Sequence, residues 1–409
     1  MLSLLALAVA GPAAAQAWPV QREAEALAVD AAEVARTEGG TAEAALAELR
    51  AQGASVALTE WIEGAYRDRL AGLSLDSGGD VSVLLTGRKP VADMMAQAGE
   101  ATVVVRFRTG AKATRDQLLA AIREHQAAIR AMLARPPALG IDARRGELVV
   151  MIGGADAAGD REQLRKRIER LTDVPVRLAP ADRPDGLLAG TVAPDIPLSP
   201  LVGPVVPGGS RVVGPDPIDG RRYICTTGFA VSDGARNAIV TAAHCPDTLE
   251  HIATDGSRIP LPFVGQWGWG FQDVQVNLSP LADRAVFFAD TARTQVRQVE
   301  RQRGRAATRV GDLVCHRGER SGYSCARVLM TDFAPSGDLC GGACLPMWVA
   351  VAGPSCRGGD SGGPIFIGTT AIGLLKGSSY RGDRSCGFYY YMPIDYLPEG
   401  WRLLTVPRP

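Results

Sequence analysis

The chain has 409 residues, with 44 Lys or Arg balanced by 44 Asp or Glu. Zero net charge and the lack of any basic or acidic tail remove the long-range field that nucleic-acid or membrane-surface binding uses, and a 46% apolar composition excludes a disordered chain. At roughly 100–200 residues per domain the length predicts two or three domains. All eight cysteines lie between Cys225 and Cys386, so two parts with different covalent chemistry share one chain.

Residues 1–17, MLSLLALAVAGPAAAQA, read as a secretory signal: a short apolar run, then small residues that offer Ala-x-Ala cleavage sites. The run is shorter than the roughly 20 residues a bilayer crossing needs, and no later segment reaches that length without charges. An even cysteine number in an exported chain implies disulfides, in an extracellular or periplasmic setting. No Cys-x-x-Cys occurs, which argues against a zinc site.

Residues 18–182 are rich in Ala, Arg and Glu. The clearest predicted helix is Ala113 to Leu133, where Leu118, Ile122, Ile129 and Met132 or Leu133 share a face. Strand signals at Asp80–Leu85 and Glu147–Ile152 follow similar pairs, Leu75-Asp76 and Ile141-Asp142. A duplicated α+β module is therefore expected. Nine of the 27 prolines then fall between Pro180 and Pro217, so 183–211 reads as an extended linker. From 212 to 409 short apolar runs alternate with Gly, Pro and Asp, and strands are expected at Ile239–Thr241, Val274–Val276, Val310–Cys315, Met347–Val351, Pro364–Ile367 and Ala371–Leu375. That texture predicts an all-β barrel or sandwich.

Two segments of this β part carry chemistry, Thr241-Ala-Ala-His-Cys245 and Gly359-Asp-Ser-Gly-Gly-Pro364. A serine hydroxyl is a poor nucleophile at neutral pH and needs a base in reach; an unperturbed histidine titrates near pH 6.5 and suits that task. Gly359-x-Ser361-x-Gly363 also fits the nucleophile elbow of lipases and esterases. That elbow requires a histidine after the serine, and the last histidine here is His316.

With an aspartate between the two motifs, the order resembles the chymotrypsin-like serine endopeptidases, in particular the bacterial secreted branch of streptogrisin and α-lytic protease. Cys225-Thr-Thr-Gly-Phe-Ala-Val231 ahead of the histidine motif fits the same branch. The resemblance runs from about Cys225 to the C-terminus. It implies two six-stranded antiparallel β-barrels, a catalytic set of His244, Asp273 and Ser361, and an oxyanion hole from the N–H groups of Gly359 and Ser361. Asp283 competes for the acid position; Asp273, 29 residues after His244, is preferred for its spacing.

By the same resemblance Asp360 is the carboxylate that holds the serine loop against a buried cation. The arginine that follows the first cysteine of that loop in the bacterial branch is replaced here by His316, with Arg317 next. The disulfides implied are Cys225–Cys245, Cys315–Cys325 and Cys356–Cys386, with Cys340–Cys344 as the fourth. Residues 18–182 would be a pro-region, serving as intramolecular inhibitor and folding aid and removed within the linker. An independent binding domain is the alternative for that half.

The predicted function is a secreted serine endopeptidase made as a zymogen. It would act on proteins or peptides as a monomer, with no cofactor, metal, nucleic acid or membrane, and lose activity below about pH 6.5 as the base protonates. The rival is a catalytically silent binding protein with a blocked cleft, suggested by Lys376 at or beside a position usually serine, where a buried lysine would either pair with the aspartate or disturb it. Ser355 stands where an aspartate would favour Lys or Arg substrates, so trypsin-like cleavage is not expected.

Overall fold

The computed structural model describes residues 19–181, 186–187, 190–191, 205–215, 220–253, 255–279, 284–337 and 339–406. The segment 1–17, Asp283 and most of the linker 183–211 lie outside the described residues.

The amphipathic stretch singled out above forms the helix Arg115–Ala131. It starts where Thr114 and Gln117 cap each other reciprocally, satisfying two backbone donors that a helix start leaves open. Leu118, Ile122 and Ile129 are fully buried on its inner face. They pack on a hairpin of Ala138–Asp142 with Glu147–Ile152, whose second strand pairs in parallel with Val176–Pro180. The first part of this half repeats that order. A helix precedes the hairpin of Leu70–Leu75 with Val81–Thr86, and a third strand, Ala101–Ala111, runs parallel to the second. Among the described residues no helix is long and apolar enough to cross a membrane.

The β half closes into two six-stranded antiparallel barrels. In the first, Arg211–Pro215 pairs with Arg222–Thr226 and with Leu249–Ile252. Arg222–Thr226 bends at Gly228 into Ala230–Ser232, and Arg258–Leu261 bends at Pro262 into Phe263–Trp267, so each serves both sides of the barrel. Asn237–Thr241 and Val274–Leu278 complete the circuit. In the second barrel the order is Leu313–Gly318, Pro364–Ile367, Thr370–Tyr380, Cys386–Pro393, Trp348–Ala352 and Gly322–Ala334, and the last pairs back onto the first. Tyr389, Tyr390, Tyr391, Trp348, Phe333 and Phe366 are all fully buried on its strands, with Tyr390 against Phe333 and Trp348 and Tyr389 against His316. This is the chymotrypsin-like fold. The disulfides are Cys225–Cys245, Cys315–Cys325, Cys340–Cys344 and Cys356–Cys386.

The two halves share a continuous sheet and a charged interface. Ala138–Asp142 adds to the second barrel by antiparallel pairing of Gly140 with Phe333 and Leu139 with Ala334. The helix Glu23–Glu38 contributes Asp30, whose carboxylate meets Arg297 Nη1 at 2.8 and 3.0 Å, Tyr323 Oη at 2.5 Å and the Gly368 N–H at 2.6 Å. Both charged side chains are fully buried. Gln52 closes a two-way amide pair with the Leu313 backbone, at 2.9 and 2.7 Å. Arg309 donates to Ser55, Thr59 and the Gln52 carbonyl while pairing with Asp312. Buried groups of this kind are satisfied only while the halves stay docked.

Candidate active site

His244 follows the strand Asn237–Thr241, and Asp273 immediately precedes Val274–Leu278. These strands pair with Thr241 opposite Gln275. The register therefore stacks the histidine over the aspartate, both from the first barrel. Ser361 comes from the second barrel, in the loop between Trp348–Ala352 and Pro364–Ile367. Its carbonyl accepts the Thr226 N–H at 2.8 Å, and Thr226 Oγ1 donates to the Gly359 carbonyl at 2.8 Å, which clamps the loop across the cleft. Gly362, at φ +84°, is required there because a Cβ would run into Thr241 Oγ1 and the Thr226 carbonyl.

The distances form a relay. His244 Nε2 is 2.7 Å from Ser361 Oγ, and His244 Nδ1 is 2.9 Å from Asp273 Oδ2 and 3.2 Å from Oδ1. Asp273 Oδ1 also accepts the His244 backbone N–H at 3.3 Å, and its own N–H donates to Met392 Sδ. Asp273 and Ser361 are buried, while the His244 side chain keeps 11% of its surface open. Burial works against the Asp273 carboxylate, but the charges of His244 and Lys376 and the hydrogen bonds from both outweigh it, so the group stays ionised well below the usual carboxylate range.

Gly359 sits at φ +107°, and a Cβ there would strike the Arg320 side chain. Among the described residues, neither the Gly359 N–H nor the Ser361 N–H finds a backbone or side-chain acceptor. Two unmated donors beside a nucleophile can receive a developing oxyanion. Asp360 is fully buried, which pushes its carboxyl up; hydrogen bonds from Ser321, Arg320 and Arg357 oppose that. Its oxygens accept the backbone N–H groups of Arg320 at 2.8 Å, Ser321 at 2.9 Å and Arg357 at 2.7 Å.

Arg317 does not take the place of the absent arginine. It turns to the Gly209 carbonyl and, at 3.0 Å, to Glu319, which also gathers Arg211 at 2.8 Å and Arg293 at 3.5 Å. His316 is fully buried between Ser321 and Ser324 with its ring against Tyr389. Ser355 donates to the Ser321 carbonyl at 3.2 Å.

Of the two outcomes the sequence leaves open for a buried Lys376, pairing with the aspartate is the one found: its Nζ reaches Asp273 Oδ2 at 3.2 Å. Another feature was not evident in the sequence. Gly186–Leu187 pairs antiparallel with Gly377–Ser378, and Gly190–Thr191 pairs with Tyr223–Ile224. The described parts of the linker thus meet the second barrel beside Lys376 and the first beside Cys225. Only a motif for strand addition could have shown this, and none exists, because main-chain pairing is indifferent to side chain.

No family model matches the chain. It is similar to streptogrisin-D of Streptomyces griseus, at 30% identity over 198 residues that make up 45% of this chain and 45% of that protein. The match thus spans less than half of the relative. Among solved structures, protease A of Thermobifida fusca aligns with 49% of this chain and all of its own, at 22% identity and a TM-score of 0.39. A Nocardiopsis protease aligns with 49% of this chain and 99% of its own, at 21% identity and a TM-score of 0.38. The similarity is to chymotrypsin-like bacterial serine proteases.

Proposed function

We propose that the chain is a serine endopeptidase, exported and made as a zymogen. One observation carries the reading: Ser361, His244 and Asp273 line up at 2.7 and 2.9 Å beside two open backbone N–H groups. Ser361 Oγ attacks the substrate carbonyl while His244 Nε2 accepts its proton, and Asp273 holds the Nδ1–H and stabilises the imidazolium. The oxyanion forms against the N–H groups of Gly359 and Ser361. His244 then returns the proton to the leaving amine, and water repeats the sequence on the acyl-enzyme. Every step uses groups of this chain and needs no metal or cofactor. Asp360 serves as the support of the oxyanion loop.

The four disulfides fit an oxidising compartment. Residues 18–182 are read as a pro-region because Gly186–Leu187 lies on the cleft strand as an extended substrate would, and because the interface of Asp30 with Arg297 is built for specific docking. The same strand supports the rival reading of a blocked, silent cleft. Ser355 in place of a carboxylate speaks against Lys or Arg preference.

Ser361→Ala separates the readings. It abolishes both peptide hydrolysis and self-processing if the chain is a protease, and unchanged hydrolysis or processing in that variant overturns the proposal.

A further inference from the structure

Residues 167–409 contain 24 arginines and a single lysine, Lys376; the whole chain has four lysines, the others being Lys89, Lys112 and Lys166. That one lysine is 1% exposed and lies on the acid of the site. Its Nζ is 3.2 Å from Asp273 Oδ2, the same oxygen that His244 Nδ1 approaches at 2.9 Å. The indole of Trp348 lies under the ammonium, with 4.7 Å from Nζ to the ring centroid. A cation over an indole face is stabilised by the ring quadrupole, most when water is excluded.

The backbone explains how a lysine reaches this place. Leu375 pairs with Tyr391 and Gly377 with Tyr390, so Lys376 is the extra residue of a β-bulge in Thr370–Tyr380. A bulge turns one side chain out of the ladder's alternation. The Lys376 carbonyl meanwhile lies 3.5 Å from Ser361 Oγ. One residue thus contacts both the acid, through its side chain, and the nucleophile, through its backbone.

Building on the endopeptidase reading, we propose that Lys376 is a positioning residue of the reaction: it holds Asp273 Oδ2 on His244 Nδ1 and sets a fixed positive charge against proton uptake at His244, which keeps the base free in more acidic solution than Asp273 alone would allow. The charge enters through shared geometry. When His244 takes a proton, two cations contact one carboxylate oxygen, and the attraction between Asp273 and imidazolium is partly offset by the ammonium. Lysine suits this role because its charge is compact and sits on a flexible stem, whereas a guanidinium would need a wider acceptor.

The neighbouring groups leave that balance to these three residues. Asp273 is the carboxylate within 4 Å of Lys376 among the described residues. Tyr390 of Cys386–Pro393 lies against the same Trp348 ring, and burial raises Tyr389 and Tyr391 of that strand above the usual phenol range, so both stay neutral. Near Tyr391, Arg303 and Asp312 pair with each other, and Asp395 accepts the Arg305 N–H. Asp360, on the nucleophile loop, is occupied by its three backbone donors. Burial lowers the Lys376 ammonium and Asp273 opposes that shift.

The test follows the rate of Ser361 modification by a fluorophosphonate against pH, in the processed parent chain and in three processed variants. Lys376→Met removes charge and hydrogen bond, Lys376→Gln keeps a donor without charge, and Lys376→Arg keeps charge. In the Met and Gln variants the acid limb moves up by about one pH unit, the effect expected of one charge at this separation, and Arg restores it toward the parent. A limb that stays in place in Met and Gln overturns the inference and leaves the endopeptidase reading intact. Absence of any adduct in the parent overturns that reading instead.

A measurement on the unaltered chain decides the matter if the variants do not fold. In 15N-lysine spectra the buried Lys376 ammonium shifts over the same pH range as the acid limb, and again when Ser361 is phosphonylated. A Lys376 signal that ignores both contradicts the inference.

Discussion

Lys376 Nζ and Asp273 Oδ2 meet at 3.2 Å with 1% of either side chain exposed, so a buried ion pair stands directly behind His244. Removing one partner of such a pair leaves an uncompensated buried charge, which costs about 3–5 kcal/mol. Asp273→Asn should therefore do two things. Peptidase kcat falls by about 10⁴-fold, since the amide no longer holds the imidazole in the needed tautomer, and denaturant unfolding shows the stability loss. Adding Lys376→Met to Asp273→Asn recovers stability without activity. A stable Asp273→Asn single variant would show that the two side chains are not paired.

Histidines outside the site set the response of stability to acid. His251 is held down to about 4, first by burial and then by the charge of Arg293; His316 is held down to about 3, by burial and then Arg317. Unfolded histidine titrates near 6.5. From pH 6.5 down to those values the unfolded chain binds more protons than the folded one. Stability is thus complete above pH 6.5 and declines as pH falls, by about 1.4 kcal/mol per pH unit for each histidine. Urea unfolding of the Ser361→Ala chain between pH 7 and pH 5 measures the slope, and His251→Gln should reduce it. A flat profile would contradict the burial of both rings.

The docking of the halves rests on Asp30 with Arg297, both fully buried. After self-processing the two pieces should elute together in size-exclusion chromatography at neutral pH. Asp30→Asn leaves Arg297 without its counter-charge and should separate them, and co-elution of that variant at low micromolar concentration would count against the interface.

Self-processing should cut between Leu187 and Gly190. Those residues pair on opposite sides of the site, Leu187 with Gly377 and Gly190 with Ile224, and mass spectrometry of the cleaved chain gives the bond directly. A first cut far outside this interval, or processing that persists in Ser361→Ala, would show that this strand is not presented as substrate.

The motifs made the candidate site legible because the proposed chemistry fixes residue type locally: His244 beside Cys245, and Ser361 between glycines that make a tight loop possible. Asp273 was harder, since an acid needs only to arrive beside His244, and its place follows from the pairing of Asn237–Thr241 with Val274–Leu278. Short apolar runs and turn residues made an all-β barrel or sandwich legible, whereas the division into two six-stranded barrels came from the family resemblance. The Asp30–Arg297 contact was not, because it joins residues 267 apart with no period or spacing to mark it. The same holds for Glu319 and its three arginines, and for Ala138–Asp142 extending the second barrel's sheet. The sequence marked Lys376 as out of place and left open whether it pairs with Asp273 or disturbs it; the bulge that brings it there is announced by no residue pattern.

If Ser361 is a nucleophile activated by His244, treating the processed chain with a fluorophosphonate at pH 8 and mapping the adduct by peptide mass spectrometry gives one adduct per chain, on Ser361, and none in His244→Ala. No adduct on Ser361 in the processed chain at any pH, or an equal adduct in His244→Ala, would contradict it.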